Sequence, residues 1–157
     1  DASVGVVPGG APFASEAEFA ELAQIGIDYF DAYAADAPAW TLTQNHLDKM
    51  LAAHHGASME FVKSLQVLGM QICEASILPH EQYGQPLRVL DVAAYQQICQ
   101  TLEVPVIVPT QKKILPTEIK ILRESGVKAL LIGAVVTGDQ ADSIERATHE
   151  FVSRIEE

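Results

Sequence analysis

The sequence predicts an α/β fold, built from repeated strand–helix units around a parallel sheet. Two observations carry this. The first is an internal rhyme. A polar–apolar helical stretch ends at a glycine, and an apolar strand follows at once, in ELAQIGIDYF, SLQVLGMQIC and LRESGVKALLI. Gly26, Gly69 and Gly126 hold the same place in each. A glycine just past a helix accepts the left-handed backbone that other residues resist, so each rhyme is the αβ half of a βαβ unit. The second observation is composition. Of 157 residues, 48% are hydrophobic and only 6% aromatic. An aliphatic core of that kind suits helices packed on a buried parallel sheet.

In chain order, strands are expected at residues 2–7, 27–34, 49–54, 71–78, 104–109 and 129–135, each an apolar run beside turn residues. Helices are expected at 16–24, 59–68, 92–101, 117–124 and 143–155. The first opens on a capping box, with Ser15 as cap and Glu18 reaching back. Ser58 and Asp91 are placed to cap the next two helices. Pro116 suits a first helical position, and Asp139 is the expected cap of the last helix. There Ile144, Ala147, Phe151 and Ile155 form an apolar stripe at helical spacing, read as core. The stretch 38–48 reads as a loop with a short helix. No low-complexity linker or composition shift divides residues 1–157, so one domain is expected.

The net charge of -11 disfavours nucleic acid and anionic membrane surfaces. No run reaches the roughly 18 apolar residues of a membrane span. Cys73 and Cys99 form no C-x-x-C and sit in apolar stretches, as reduced thiols of a reducing compartment do. These features point to a cytoplasmic protein with a small-molecule substrate, and leave self-association open.

Strand–helix alternation forces a parallel sheet, because each crossover returns the chain to the same edge. An open doubly wound sheet would be complete at this length. A (βα)8 barrel needs about 250 residues. Six units would then be its last six, in keeping with a chain that opens on Asp1 rather than Met. The last third decides. The stretch VPVIVPTQKKILPTEIKILRESGVKALLIGAVVTGDQADSIERATHEF resembles the closing strands seven and eight of phosphate-binding (βα)8 barrels, such as the histidine- and thiamine-biosynthesis barrels and the nitronate-monooxygenase type flavoenzymes. The resemblance implies a phosphate carried on backbone amides near the closing strands. It departs where those families place a Gly-Gly pair after strand seven, since this chain reads PTQKK there. The expected fold is therefore the last six units of a parallel (βα)8 barrel, with the open doubly wound sheet as the alternative.

Sites in such folds lie at the C-terminal ends of the strands. In QICEASIL, Cys73, Ala75 and Ile77 form an apolar set facing the helices, so Ile72, Glu74 and Ser76 face the barrel interior. In IDYFDAYA, Phe30 and Ala32 suit the helix side, which turns Tyr29, Asp31 and Tyr33 inward. Between these strands KMLAAHHG ends in His54 and His55. Asp31, His54 and Glu74 are thus expected at one mouth as an acid–base group. The same residue types could hold a divalent metal, or Glu74 could simply bond an amide or a lysine. Lys112, beside Lys113, reads as a Schiff-base nucleophile or anion clamp, or as a solvated pair. Ser76, Thr110 and Gln111 are candidate substrate contacts.

The long loop LPHEQYGQPLRVLD reads as a lid, with Arg88 as a clamp for a carboxylate or phosphate. Gly133, Thr137 and Gly138, at the start of the last helix, are candidates for a phosphate or the phosphate of FMN. Gly9–Gly10 reads as a turn. No P-loop, G-x-G-x-x-G, G-x-S-x-G or H-E-x-x-H motif occurs. The expectation is a lyase, isomerase or aldolase acting on a small anionic or phosphorylated metabolite. An FMN-dependent oxidoreductase and a non-catalytic metabolite-binding barrel are the rivals.

Overall fold

Three copies of one turn set the architecture. In the computed structural model, which describes residues 2–155, Gly26, Gly69 and Gly126 have φ of 93°, 102° and 105°. In each case the residue after the glycine donates its amide to a leucine carbonyl five residues back: Ile27 to Leu22, Met70 to Leu65 and Val127 to Leu122. This closes the helix end. The next residue then joins the preceding strand, with Asp28, Gln71 and Lys128 donating to the carbonyls of Val4, Lys49 and Val106. A chain that repeats this step lays each new strand beside the last one.

The strands are β1 (Gly5–Val6), β2 (Tyr29–Tyr33), β3 (Asp48–Ala52), β4 (Ile72–Glu74), β5 (Val106–Pro109) and β6 (Ala129–Leu131). All pair in parallel, in the order β1-β2-β3-β4-β5-β6. The helices are α1 (Glu16–Gln24), α2 (Met59–Val67), α3 (Val89–Thr101), α4 (Ile119–Glu124), α5 (Ala134–Thr137) and α6 (Ala141–Ile155). A doubly wound sheet reverses its strand order partway, whereas sequential order with right-handed crossovers keeps every helix on one face and curls the sheet. The fold is a curled half-barrel, and the doubly wound alternative is excluded.

The register separates the two faces. Ala32, Leu51, Cys73 and Val106 lie side by side across β2–β5, and all belong to the core shared with the helices. Phe19 of α1, Val62 of α2, Tyr95 and Ile98 of α3, Leu122 of α4 and Phe151 of α6 pack on that face. The opposite, concave face carries the row Tyr33, Ala52, Glu74, Ile107 and Ala129, and beneath it the row Asp31, Met50 and Ile72.

Local expectations hold at α1, where Ser15 and Glu18 form both halves of the capping box, and at α2, where Ser58 accepts from Phe61 N. Two expected caps differ. Asp91 lies inside α3, not before it, and accepts from the Arg88 amide at 2.8 Å. Asp139 is displaced by Gln140, whose carbonyl receives the amides of Ser143 and Ile144. The last strand also ends early. The β-branched pair Val135–Val136 belongs to α5, because Gly133 turns the chain after Leu131. In α6 only Ala147 and Phe151 of the apolar stripe are buried, while Ile144 and Ile155 are 44% and 58% exposed. That helix follows β6, which among the described residues pairs with β5 alone, so half of its stripe has no sheet to meet.

Gly126 is the least replaceable of the repeated glycines. A methyl group there would approach Cys99 Cβ at 2.9 Å, on a backbone of φ +105°. Gly126→Ala is expected to lower stability by about 1–3 kcal/mol, measured by urea unfolding. The same change at Gly26 meets no neighbouring atom within 4 Å and is expected to show the backbone cost without the clash.

Candidate active site

The concave face gathers its polar side chains at the C-terminal ends of β2, β4 and β5. Tyr33 is the last residue of β2 and Glu74 the last of β4. Ser76 and Gln111 each lie two residues beyond their strand ends. Between Tyr33 and Glu74, in the same row, stands only the methyl group of Ala52. This gap lets carboxylates from β2 and β4 meet across β3. Asp31 and Glu74 are hydrogen-bonded to one another.

Two carboxyl groups in contact cannot both be ionised at low cost. Burial pushes Glu74 up, and the neighbouring Asp31 charge and hydrogen bond add to it, to about 8. Burial raises Asp31 as well, while the hydrogen bond from Glu74 favours its carboxylate form. Glu74 therefore holds its proton far more readily than an ordinary carboxyl group and can donate it to Asp31. Asp31 Oδ1 is buried, and Glu74 is the hydrogen-bonding neighbour of its carboxyl group.

Above the pair runs a chain of hydrogen bonds. Tyr33 and Ser76 share a bond of 2.6 Å between hydroxyls. Gln111 Nε2 donates to Ser76 Oγ at 2.7 Å and also to the Tyr83 hydroxyl. Its Oε1 accepts from the Leu78 amide at 3.3 Å, which fixes the orientation of the side-chain amide. His80 stacks on Tyr83 with ring centroids 4.8 Å apart. Tyr33 feels the charges of Glu74, Tyr83 and Asp31, though burial is the larger cause of its raised pKa. The chain and the carboxyl pair are thus one site. Tyr33 and Tyr83 are each 37% exposed, so both phenols open onto the mouth.

The long loop after β4 is pinned in place. The Gly84 amide donates to the Gln111 carbonyl at 2.8 Å, and the Lys113 amide to the Gln85 carbonyl at 2.9 Å. A parallel bridge joins Pro86 to Lys113. These bonds continue the β5 side of the sheet and hold Tyr83 over Gln111.

Several expected site residues lie elsewhere. Lys112 is 1% exposed. Its Nζ donates to Gln82 Oε1 at 3.0 Å and lies 3.5 Å from Asp91 Oδ2. Alternation along the chain from β5 turns Gln111 to the mouth and Lys112 to α3, so Lys112 is neither a nucleophile nor a clamp in the mouth. His54 is exposed, and its ring meets Phe61 of α2 edge-on at 5.4 Å. The strand stops at Ala52 and the chain turns toward α2 before the ring can enter. His55 Nδ1 instead reaches the Ile77 carbonyl at 3.1 Å.

Thr110 is engaged within the sheet, donating to the Leu131 carbonyl and accepting from the Gly133 amide at 2.8 Å. The proposed phosphate donors are occupied too. The amides of Gly133, Thr137 and Gly138 bond Thr110 Oγ1, the Gly133 carbonyl and the Ala134 carbonyl. The Thr137 hydroxyl bonds the Gly138 carbonyl. These residues offer no free donor to a phosphate or to the phosphate of a flavin. Arg88 is exposed at the start of α3. Among the described residues no group of three or more His, Cys, Asp or Glu side chains is arranged to hold a metal ion, and no helix is long and apolar enough to cross a membrane.

The proton held by the pair links stability to pH. Glu74 binds its proton up to about 8 in the folded state, against an ordinary value of 4.5. Between those values the folded chain holds more protons than the unfolded one, so stability falls as pH rises through this window. Asp31, also raised, adds to the same slope. Urea midpoints measured at about pH 5 and about pH 9 should decrease in that order, and Glu74→Gln should flatten the difference.

In sequence, the chain matches no family model and no curated protein. In three dimensions it is similar to thiamine phosphate pyrophosphorylase from Pyrococcus furiosus, with a TM-score of 0.63 and 15% identity over 92% of this chain and 79% of that one. A structure described as native KDPGal gives a TM-score of 0.65 at 11% identity, over 98% and 68% of the two chains. A mutant tryptophan synthase α-subunit from Pyrococcus furiosus gives 0.67 at 11% identity, over 88% and 60%. The chain thus spans 60% to 79% of the length of these proteins. Identities this low carry the fold alone. Joined to the strand order, they make this chain a partial parallel (βα) barrel of the TIM type.

Proposed function

We propose that this chain carries the acid–base site of a TIM-barrel enzyme that moves protons on a small metabolite, in a lyase or isomerase type of reaction. The observation that supports this most is the Asp31–Glu74 pair, two hydrogen-bonded carboxyl groups, with Glu74 closing β4 and Asp31 two residues before the end of β2, beside the strand ends where barrel enzymes place their chemistry. A carboxylate and a carboxylic acid side by side supply a base and an acid at once. Neighbouring environments that hold two carboxyl groups in different protonation states are how acid and base roles are divided near neutral pH. Asp31 is the base, since the hydrogen bond from Glu74 favours its carboxylate form. Glu74 is the acid. Tyr33, Ser76, Tyr83 and Gln111 hold the substrate.

The test is hydrogen exchange. In D2O the protein should catalyse exchange of a carbon-bound proton next to a carbonyl in its substrate, read by proton NMR. Asp31→Asn should remove the exchange while leaving ligand affinity within a few-fold. Exchange that persists in Asp31→Asn would refute this assignment.

A further inference from the structure

We infer that Gln111 is a positioning residue that sets the direction of the hydrogen-bond chain at the mouth, so that Tyr33 and Tyr83 both turn their hydroxyl protons outward and meet the substrate as donors. This deepens the acid–base reading and rests on it for the location of the site.

The direction follows from counting protons. Tyr33, Ser76 and Tyr83 bring one hydroxyl proton each, and Gln111 brings two amide protons. The Leu78 amide donates to Gln111 Oε1, which fixes the end of the side-chain amide that carries those protons. Both are used, one on Ser76 Oγ and one on the Tyr83 oxygen. The Tyr83 oxygen therefore accepts, and its own proton is left for the mouth. Tyr33 and Ser76 share one further bond. If Tyr33 donated it, the spare proton would be that of Ser76, which is 5% exposed. If Ser76 donates it, the spare proton is that of the more open Tyr33. An unmade hydrogen bond costs more in the interior than at the surface, so Ser76 donates. Protons thus point outward along two arms, from Gln111 through Ser76 to Tyr33 and from Gln111 to Tyr83.

The branch point is held from both ends. Gln111 is buried, and its backbone carbonyl accepts from the amide of Gly84, the residue after Tyr83. The arms stand beside the carboxyl pair. Tyr33 follows Asp31 by two residues on β2, and Ser76 follows Glu74 by two. The hydroxyl donors therefore lie one pleat repeat, about 7 Å along the strands, beyond the acids. Removal of a proton next to a carbonyl needs that arrangement. The proton passes to Asp31, the electron pair of the C–H bond enters the carbon–carbon double bond of an enolate, and the carbonyl oxygen takes the charge. Outward-pointing hydroxyl protons strengthen their bonds to that oxygen as the charge develops.

Raman spectroscopy of the ligand-free protein tests the direction. The intensity ratio of the tyrosine ring doublet is low for a phenol that only donates a strong hydrogen bond, and higher for one that also accepts. Subtracting the spectra of Tyr83→Phe and Tyr33→Phe from that of the parent isolates each phenol. Both should show the higher ratio. Gln111→Glu keeps the acceptor for the Leu78 amide but brings one side-chain proton at most, where the amide brings two. Either Tyr83 must then donate to residue 111, or Ser76 must, which leaves Tyr33 to donate to Ser76. The ratio of at least one phenol should therefore fall. A low ratio for Tyr83 or Tyr33 in the parent would overturn the inference, even if Gln111→Glu failed to fold. A folded Gln111→Glu in which neither phenol changes would overturn it as well. These spectra need no substrate or turnover. Deuterium exchange that persists in Asp31→Asn would remove the acid–base reading and leave the direction of the chain standing.

Discussion

Glu74→Gln is expected to lower the rate of proton transfer by about 10²–10⁴-fold, the usual contribution of a positioned acid or base. The substitution keeps the size of the side chain and a donor toward Asp31, but removes the transferable proton. Ligand binding should change by less than about threefold, because the phenols and Gln111 are untouched. A fall in rate without a fall in affinity marks a group that acts in the transition state. The rival reading, a barrel that only recognises its metabolite, predicts no exchange in the parent protein and unchanged binding in the variant. Glu74→Asp should behave differently again. It keeps the acid but shortens the reach across Ala52, so activity should fall without removal of the titrating group.

Lys112→Met is expected to destabilise the fold by about 3–5 kcal/mol, because it strands the carboxylate of Asp91 in the interior. The side chains of the two partners are 1% and 7% exposed, so little solvent screens the loss. Adding Asp91→Asn should recover part of the stability. It removes the stranded charge and keeps an oxygen for the Arg88 amide, which Asp91 accepts at 2.8 Å. Urea unfolding of the single and double variants measures both effects. The same Lys112 also holds Gln82, next to Tyr83. Lys112→Met should therefore weaken ligand binding as well, through the loop and not through lost charge at the mouth. A variant with unchanged stability would show that the buried ion pair is not holding α3 and the loop together.

How much of this was legible in the sequence depended on local pattern. The helix–Gly–strand rhyme is a strictly local signal, and it placed the repeated turns and most of α1–α4. Alternation along QICEASIL and IDYFDAYA is equally local, and it assigned Glu74 and Asp31 to the concave face that the register displays. Extended through β5, the same alternation separates Ile107, Pro109 and Gln111 from Val108, Thr110 and Lys112. That extension places Lys112 away from the mouth, against the expectation that a lysine meets solvent. Its partner Asp91 is 21 residues away in sequence, and nothing short-range announces the pair.

His54 follows the correct parity but lies past the end of β3, where Gly56 at φ 80° has begun to redirect the chain. Alternation loses its meaning once a strand stops. Tyr83 was visible only as one of several polar residues in a long loop. Its position depends on the pairing of Gly84 and Gln85 with residues 111 and 113, a non-local contact. Ala52 was hidden for the opposite reason. Its contribution is the absence of a large side chain between two acids, and an alanine in a strand carries no signal of its own. The phosphate turn was suggested by strand–Gly–helix rhythm, but rhythm does not say which amides are free. Thr110, from the neighbouring strand, takes the amide of Gly133.

Carbon-13 NMR of the side-chain carboxyls observes the proton between Asp31 and Glu74 directly. Followed from about pH 4 to about pH 10, Glu74 should titrate with a midpoint near 8. In Asp31→Asn the midpoint should move down but stay above the ordinary carboxylate range, since burial is the larger cause of the shift. A Glu74 midpoint in the ordinary range in the parent protein would mean that both acids are ionised at neutral pH, and would contradict the account.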